Sequence, residues 1–318
     1  MAHHTLKAAP ETVRIGQFNA TFPPVLTIAS GDTVDVQCVS GRPEILPAPE
    51  TGLLVPDALR AIIAAQPAIM GPGHIVTGPI AIAGAMPGDM LEIRIDAITP
   101  GTNWGYNVIR PLVGTLPEDF HEAHLMHIPV DAARMVCTLP WGTELPMAPF
   151  FGVMGVAPPP AFGTIASKEP RLHGGNLDNK ELVAGSTLFL PVWVEGGCFS
   201  VGDGHGVQGD GEVCVTALEM CLDGRFTFIL HKQDGAEPML RYPRAETPTH
   251  FISMGMHEDM DQAMKTALRE MIAFICTRSN LSKPQAYAFC SLAVDFHVTQ
   301  SVNGEKGIHG MLKKGLLF

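Results

Sequence analysis

Hydrophobic and polar residues alternate most regularly, within the first half of the chain, between Met90 and Ile98. Leu91, Ile93 and Ile95 take every second position, and charged residues stand between them. Side chains two apart in an extended segment share one face, so this period predicts a half-buried antiparallel strand. Shorter apolar segments bounded by glycine and proline turns predict further strands near residues 25–28, 33–36, 188–194, 213–222, 226–231 and 293–302.

The hydrophobic period changes in the last third of the chain. Between residues 259 and 276, apolar side chains recur at a spacing of 3.6 residues, which predicts an amphipathic helix of about five turns. Ser282 followed by Pro284 indicates the start of a second helix, running through Cys290. A shorter helix is predicted at residues 56–65.

Two glycine- or proline-rich segments carry their own predictions. Asp223-Gly224 lies between two apolar segments and predicts a hairpin turn. The apolar segment Pro149–Thr164 holds four prolines and three glycines, a composition that argues against the centre of a sheet. It is expected to be either the wall of a cavity or subunit interface, or a buried structural loop.

These patterns together predict a mainly β protein with an α+β C-terminal part. We expect antiparallel sheets in a sandwich-like or barrel-like arrangement, followed by two C-terminal helices. The predicted division is a β-rich domain at residues 1–222, which carries the polar glycine-rich loops, and an α+β domain at residues 223–318. An intertwined arrangement of the two parts remains open.

Composition and charge narrow the classes of partner. A formal net charge of −11 over 318 residues argues against nucleic acid and against an anionic membrane surface. No apolar run is long enough to span a membrane, and no secretory signal pattern is visible. The seven cysteines are scattered and form no C-x-x-C pair. We therefore expect a reduced, cytoplasmic protein.

The densest group of polar side chains lies in the segment Val201–Glu212, which reads V-G-D-G-H-G-V-Q-G-D-G-E. Five glycines among these polar residues predict a tight loop that presents them. Asp203 and His205 are two residues apart, so in extended backbone both side chains point to the same side and converge on one ion or substrate. A purely structural polar turn is the alternative.

A catalytic metal site is one chemistry that these residues support. Catalytic zinc takes three protein ligands from His, Asp or Glu and leaves a position for water. Asp178, Asp203 and His205 are candidate ligands, with Glu212 as a general base, although no H-E-x-x-H motif is present. The alternative is a metal-independent nucleophile, Cys198 or Ser200, activated by His205.

Ten motifs of a known family occur in this chain in the order that the family has them. They are Pro24-Val-Leu-Thr-Ile28, Ser30-Gly-Asp-Thr-Val34, Thr77-Gly-Pro-Ile80, Gly84-Ala-Met-Pro-Gly-Asp-Met-Leu-Glu92, Pro149-Phe-Phe-Gly-Val-Met-Gly-Val-Ala157, Gly174-Gly-Asn-Leu-Asp178, Val201-Gly-Asp-Gly-His205, Gly209-Asp-Gly-Glu212, Ala293-Val-Asp-Phe-His-Val-Thr-Gln300 and Lys306-Gly-Ile-His309. On these motifs the chain resembles the acetamidase/formamidase family of amide hydrolases over nearly its whole length. It departs at Gly206, where the family usually has alanine.

The resemblance implies that a short linear amide, similar to formamide or acetamide, is hydrolysed to a carboxylate and ammonia. A lactam is an alternative substrate, and a non-catalytic binding oligomer is an alternative function. The resemblance also implies a β-rich cytoplasmic homodimer or homotetramer that binds a divalent metal, with zinc expected.

The resemblance implies roles for four residues, Asp178, Asp203, His205 and Glu212. The roles expected of the other residues named below follow from their place in the polar, glycine-rich segments. The expected metal ligands are Asp178, Asp203 and His205. Glu212 is the expected proton shuttle, with Asp210 as a second catalytic carboxylate. His74, Asn176 and Gln208 are expected to bind the substrate.

Overall fold

The computed structural model of the chain describes residues 1–65, 73–235 and 239–317. Over these ranges the backbone forms 21 strands, three α-helices and three single-turn 3-10 helices. The strands are β1 (His3–Leu6), β2 (Val13–Ile15), β3 (Gln17–Asn19), β4 (Leu26–Ile28), β5 (Thr33–Cys38), β6 (Ile75–Ile82), β7 (Met90–Pro100), β8 (Trp104–Ile109), β9 (His124–Asp131), β10 (Val136–Thr138), β11 (Glu144–Pro146), β12 (Phe150–Gly155), β13 (Thr164–Ala166), β14 (Gly174–Asn176), β15 (Thr187–Pro191), β16 (Phe199–His205), β17 (Leu222–His231), β18 (Arg244–Glu246), β19 (His250–His257), β20 (Val294–Gln300) and β21 (Lys306–Lys313). The helices are α1 (Asp57–Ala65), α2 (Met260–Arg278) and α3 (Lys283–Ala293), and the 3-10 helices are Pro43–Ile45, Pro49–Thr51 and Pro160–Phe162.

The largest sheet runs through both halves of the chain. Among the described residues, nine strands pair in the order β1-β5-β17-β7-β15-β18-β19-β21-β20. Strand β7 is the predicted alternating strand, and Leu91, Ile93 and Ile95 on its inner face are all at most 1% exposed. The predicted mainly β fold with an α+β C-terminal part is confirmed, and the sheets in the described ranges do not close into a barrel. Strands from both sides of residue 222 share this sheet, and the division into two domains remains a prediction.

A second sheet lies against the first and carries the candidate site. It has the order β14-β12-β16-β6-β2, and β4 adds to β6 in parallel. Phenylalanine rings join the two sheets: Phe226 of β17 lies 5.6 Å from the ring of Phe151 in β12 and 6.1 Å from that of Phe199 in β16. All three side chains are fully buried. Each contributes about 1.5–3 kcal/mol through burial, so Phe226→Ala is expected to cost about 3–5 kcal/mol.

The segment Pro149–Thr164 enters the interior of this second sheet, so the expectation that it avoids a sheet centre was wrong. Its residues Phe150–Gly155 form β12, which pairs with β14 on one side and β16 on the other. The prolines at 149 and 158–160 lie before and after the strand, where they interrupt no pairing. The composition of the whole segment therefore did not predict the short strand within it, which itself contains no proline.

The predicted hairpin at Asp223-Gly224 was also wrong. Both residues lie inside β17, where Gly224 pairs with Val36 on one side and Ile98 on the other. A Cβ on Gly224 would come within 2.7 Å of the rings of Phe226 and Phe151, so the glycine permits close packing between the sheets rather than a turn. The strand predicted at residues 213–222 is likewise absent, because residues 213–221 form turns and isolated bridges.

The two C-terminal helices are confirmed. Asp259 caps α2, since its Oδ1 accepts a hydrogen bond from the N–H of Gln262 at 2.9 Å. Helix α2 packs closely on β19, because a Cβ on Gly255 would collide with the backbone of Ala263 and Ala267. None of the helices in the described ranges combines the length and apolar character that a membrane span requires.

Candidate active site

Asp203 and His205 project from β16, which pairs with β12 and β6. The sequence predicted a loop over Val201–Glu212, and this was wrong for residues 201–205, which are strand. The alternation argument nevertheless gave the right convergence: Nε2 of His205 lies 3.4 Å from Oδ2 of Asp203. Both side chains are buried, so neither charge is screened by bulk water.

Three carboxylate residues around this pair have unusual backbone conformations. Asp178 follows β14 with φ of 46°, Asp203 has φ of 58° and Glu212 has φ of 44°. Residues other than glycine seldom adopt positive φ, which costs about 1–3 kcal/mol each and persists only where surrounding structure fixes it. The fold therefore holds all three carboxylates at a conformational cost, which is a common property of functional sites.

Gln208 fixes the ring of His205. Its Nε2 donates to the backbone oxygen of Asp178 at 2.8 Å, which directs its Oε1 toward Nδ1 of His205 at 2.9 Å. An amide oxygen only accepts hydrogen bonds, so Nδ1 of His205 carries a proton and Nε2 faces the carboxylates. A partner on one ring nitrogen that orients the other is the usual arrangement behind a metal-binding histidine.

Two further buried residues belong to the cluster and were not predicted. Oε1 of Glu219 lies 3.3 Å from Nε2 of His205, and the backbones of these two residues form an isolated bridge. Asn303, in the turn between β20 and β21, donates a hydrogen bond from Nδ2 to Oδ2 of Asp178. A lone carboxylate in the apolar segment 217–222 could have indicated Glu219, whereas no sequence pattern indicates Asn303.

Gly152 in β12 leaves the space into which the cluster fits. A Cβ at this position would lie 2.8 Å from Oδ2 of Asp203 and 2.9 Å from Cε1 of His205, and closer still to Oδ1 of Asp178. No side chain fits there without moving these groups. The glycine therefore allows the carboxylates and the imidazole to converge against the backbone.

A cavity of about 60 Å³ opens onto this cluster. His74 lines it, with Nε2 3.9 Å from Oδ2 of Asp203 and Nδ1 2.8 Å from the Ser167 hydroxyl. Asn176 lines it as well, and its buried Oδ1 has no hydrogen-bond partner among the described residues. Asp203, Glu212 and Glu219 complete the acidic side of the wall.

Two predicted site residues lie elsewhere. Gln208 forms hydrogen bonds with His205 and with the backbone of Asp178. In the described part of the chain it does not line the cavity beside the cluster. Asp210 is partly exposed, and its Oδ2 lies 3.2 Å from Nζ of Lys180 and 3.3 Å from Nδ1 of His297. The structure thus brings Asp178, Asp203, His205, Glu212, His74 and Asn176 together and leaves Asp210 outside the cluster.

Burial and mutual repulsion set the protonation of the carboxylates. Burial raises the pKa of Asp178 to about 6, and burial together with the charge of Asp178 raises the pKa of Glu212 well above its usual value. Burial acts to raise the pKa of Asp203, but His74 and His205 lower it below its ordinary value. Burial acts to lower the pKa of His205, but Glu219 and Asp203 raise it well above its ordinary value. The pKa values of neighbouring groups in the cluster are therefore shifted in opposite directions, Asp203 downward and Asp178 and Glu212 upward.

The donor set suits a divalent cation. Asp178, Asp203 and His205 each offer one ligand atom within 4.8 Å of the others, and His205, Glu212 and Glu219 form an overlapping group. Oδ1 of Asp178, Nε2 of His205 and Oε2 of Glu212 are buried without a hydrogen-bond partner in the described part of the chain. Buried polar atoms without a hydrogen bond are costly, so three in one cluster are consistent with the binding of a cation. Mixed imidazole and carboxylate donors are typical of catalytic zinc and related metals.

The alternative nucleophiles are poorly placed. Ser200 is buried in β16 and does not line the cavity in the described part of the chain. Cys198 is buried with Ala81 and Ala157 in an apolar cluster, and burial raises the pKa of its thiol. A thiol in such surroundings is inert rather than nucleophilic.

Comparison with known proteins identifies the family of this chain. The model of the acetamidase/formamidase family matches residues 11–169 and 160–306. The chain belongs to the acetamidase/formamidase family. Relatives include a formamidase of Methylophilus methylotrophus, 29% identical over 56% of this chain and 57% of that protein. Another is an acetamidase of Mycolicibacterium smegmatis, 28% identical over 45% of this chain and 50% of that protein.

The solved structures extend the similarity to the whole fold. A crystal structure of an acetamidase from Bacillus halodurans superposes with a TM-score of 0.83 at 29% identity, covering 97% of each chain. The curated relatives, by contrast, are matched over only about half of their own length.

Proposed function

We propose that this family member hydrolyses the C–N bond of a short linear amide to a carboxylate and ammonia. The observation that carries the proposal is the buried, unpaired donor set of Asp178, His205 and Glu212 beside a small polar cavity. Membership of the acetamidase/formamidase family supports the reaction class. The names of the relatives support formamide-like and acetamide-like substrates.

Asp178, Asp203 and His205 are the residues that would hold a divalent cation, with zinc proposed. When bound, such a cation supplies Lewis-acid chemistry toward a carbonyl oxygen or a water molecule. Gln208 and Asn303 orient two of these ligands through the hydrogen bonds described above. Coordination requires His205 to give up the proton that its carboxylate neighbours favour, so cation binding releases protons.

Glu212 is proposed to move the protons. Burial and the charge of Asp178 raise the pKa of Glu212 well above its ordinary value, which suits a carboxyl group that accepts a proton in one step and returns it in the next. It takes a proton from the water that attacks the amide carbon and delivers it to the leaving nitrogen as the C–N bond breaks. Asn176 offers its unpaired Oδ1 to an amide N–H, and His74 faces the same cavity.

We also propose that the protein is a cytoplasmic homodimer or homotetramer. All seven cysteines are free thiols, which suits a reducing compartment. Large apolar side chains such as Trp141, Leu112 and Phe120 are 67%, 81% and 49% exposed, and a partner subunit would cover them. Light scattering after size-exclusion chromatography measures the assembly directly.

Metal analysis combined with an ammonia assay tests the reaction. About one zinc per chain is expected, with ammonia released from formamide or acetamide, lost on chelation and restored by zinc. Asp203→Asn keeps the shape of the side chain and removes its charge, so metal content and activity should both fall by at least about tenfold. The exposed Asp119→Asn is the matched control. A metal-free protein that retains full activity would overturn the proposed centre.

A further inference from the structure

We propose that the amide hydrolysed at this site carries a carboxylate at its other end, as in the monoamide of a short dicarboxylic acid. This inference rests on the proposed function and adds the substrate class. Its basis is a set of three cationic side chains, Arg42, Arg110 and Lys168, called the cationic side below, which line the same cavity as the acidic cluster.

The fold places these cations beside the site. Arg110 directly follows β8, and the backbone of Tyr106 in that strand bridges to Glu219, which in turn bridges to His205. Ser40, two positions before Arg42, approaches Tyr106, with its Oγ 3.3 Å from the phenolic oxygen. The cationic side therefore adjoins the acidic cluster through a continuous set of backbone and side-chain contacts.

Arg110 and Lys168 make no close ion pair with the acidic cluster in the described part of the chain. Within the described ranges, the ion pairs of Asp203 and Glu219 are made with His74 and His205. Neither Arg110 nor Lys168 has a carboxylate oxygen within 4.0 Å among those residues. Both are half-buried cations without a close counter-ion in a chain of net charge −11.

Like charges also gather here against an electrostatic cost. Burial lowers the pKa of Arg110, and the charge of Arg42 lowers it further. An anionic ligand would remove that cost, and a guanidinium binds a carboxylate through two parallel hydrogen bonds. The cavity is small, about 60 Å³, so a ligand that contacts both the acidic cluster and these cations would be short, which favours a short dicarboxylic monoamide over a neutral amide of equal length.

The first experiment compares kcat/KM for ammonia release from succinamate and from butyramide, using the metal-loaded enzyme. The wild type is expected to prefer succinamate at least tenfold. Arg110→Gln should lower this ratio by about 10- to 100-fold, since it removes a charge-assisted pair. Arg110→Lys keeps the positive charge but cannot donate two parallel hydrogen bonds, so it should give an intermediate ratio. The control Arg134→Gln, at an exposed arginine paired with Glu144, should leave the ratio unchanged.

The second experiment measures succinate binding to metal-stripped protein by calorimetry, which requires no activity. Binding that weakens at least tenfold in Arg110→Gln, but not in Arg134→Gln, supports the anion site even if no amide is hydrolysed. In that case only the reaction class fails. Ammonia release without a preference for succinamate, together with succinate binding indifferent to Arg110, overturns the inference and leaves the proposed function standing. Circular dichroism checks that each variant is folded.

Discussion

Asn303 donates a hydrogen bond to Asp178 although the two residues are 125 positions apart. The donor lies in the turn between β20 and β21, and the acceptor follows β14 in the sheet that carries the site. Gln300 holds this turn in place, because its Oε1 accepts from the N–H groups of Val302 and Asn303 at 2.9 and 3.1 Å. The C-terminal part of the chain therefore supplies an amide to a site whose carboxylates all lie earlier in the sequence.

Removing this amide should weaken cation binding. Asn303→Ala leaves Oδ2 of Asp178 without its donor, and loss of a residue that orients a ligand typically costs about 10- to 100-fold in metal affinity. Zinc titration against a competing chelator measures the change. Asn280→Ala, at an exposed position before α3, is the matched control. Equal zinc affinity in both variants would contradict the positioning role.

A side chain at position 152 should disrupt the site without disrupting the fold. The Cβ of Gly152→Ala would meet Asp178, Asp203 and His205, so metal content and ammonia release are expected to fall by at least about 100-fold. Gly209→Ala is the matched control, because a Cβ there meets nothing within 4 Å. Retention of activity by Gly152→Ala, with a crystal structure showing the same ligand positions, would refute this account.

The two candidate nucleophiles should be dispensable. Ser200 does not line the cavity in the described part of the chain, and Cys198 is a buried thiol with a raised pKa. Ser200→Ala and Cys198→Ala are therefore expected to retain kcat within about threefold of the wild type. Each substitution is small, so a stability measurement separates damage to folding from damage to chemistry. A loss above 100-fold in a stable variant would restore the covalent mechanism.

Asp32 should make stability depend on pH in the acid range. Its Oδ1 accepts from the N–H of Ala2 at 2.6 Å, and its Oδ2 from the N–H of Ala29 at 3.0 Å and from His4 at 3.1 Å. The hydrogen bonds from Ala2, His4 and Ala29 lower the pKa of Asp32 to about 2. A depressed folded-state pKa stabilises the fold above the unfolded-state value of 3.8, and this stabilisation is lost as pH falls through about 2.

Urea denaturation of the wild type and Asp32→Asn between pH 5 and pH 2 measures this contribution. The wild type should have the larger free energy of unfolding at pH 5, and the difference should shrink as pH falls from about 4 toward 2. Asp119→Asn, an exposed position, controls for the change in net charge. A difference that stays constant across this range would rule out the stated role of the carboxylate.

The sequence alone determined the local features of this protein. The period of two around Leu91 and the period of 3.6 after Asp259 located β7 and α2, because each pattern reflects how one element buries one face. Asp203 and His205, two positions apart, do converge as predicted, although the backbone of Asp203 has a positive φ and is not extended. The ordered motifs indicated the family for the same reason, since each is a short contiguous segment.

Only the tertiary structure decided which distant groups meet. Glu219 and Asn303 join the cluster through a backbone bridge and a turn from the far end of the chain, and no local pattern encodes such contacts. Asp223-Gly224 predicts a turn because glycine tolerates any backbone conformation. In the folded chain Gly224 lies in a strand, and its lack of a side chain leaves room for the rings of Phe226 and Phe151. Asp210 lies in the same polar, glycine-rich segment as the site residues, yet its carboxylate pairs with Lys180 and His297 outside the cluster. Side-chain chemistry is a property of the sequence, but proximity between residues far apart in the chain is fixed only when the sheets pack.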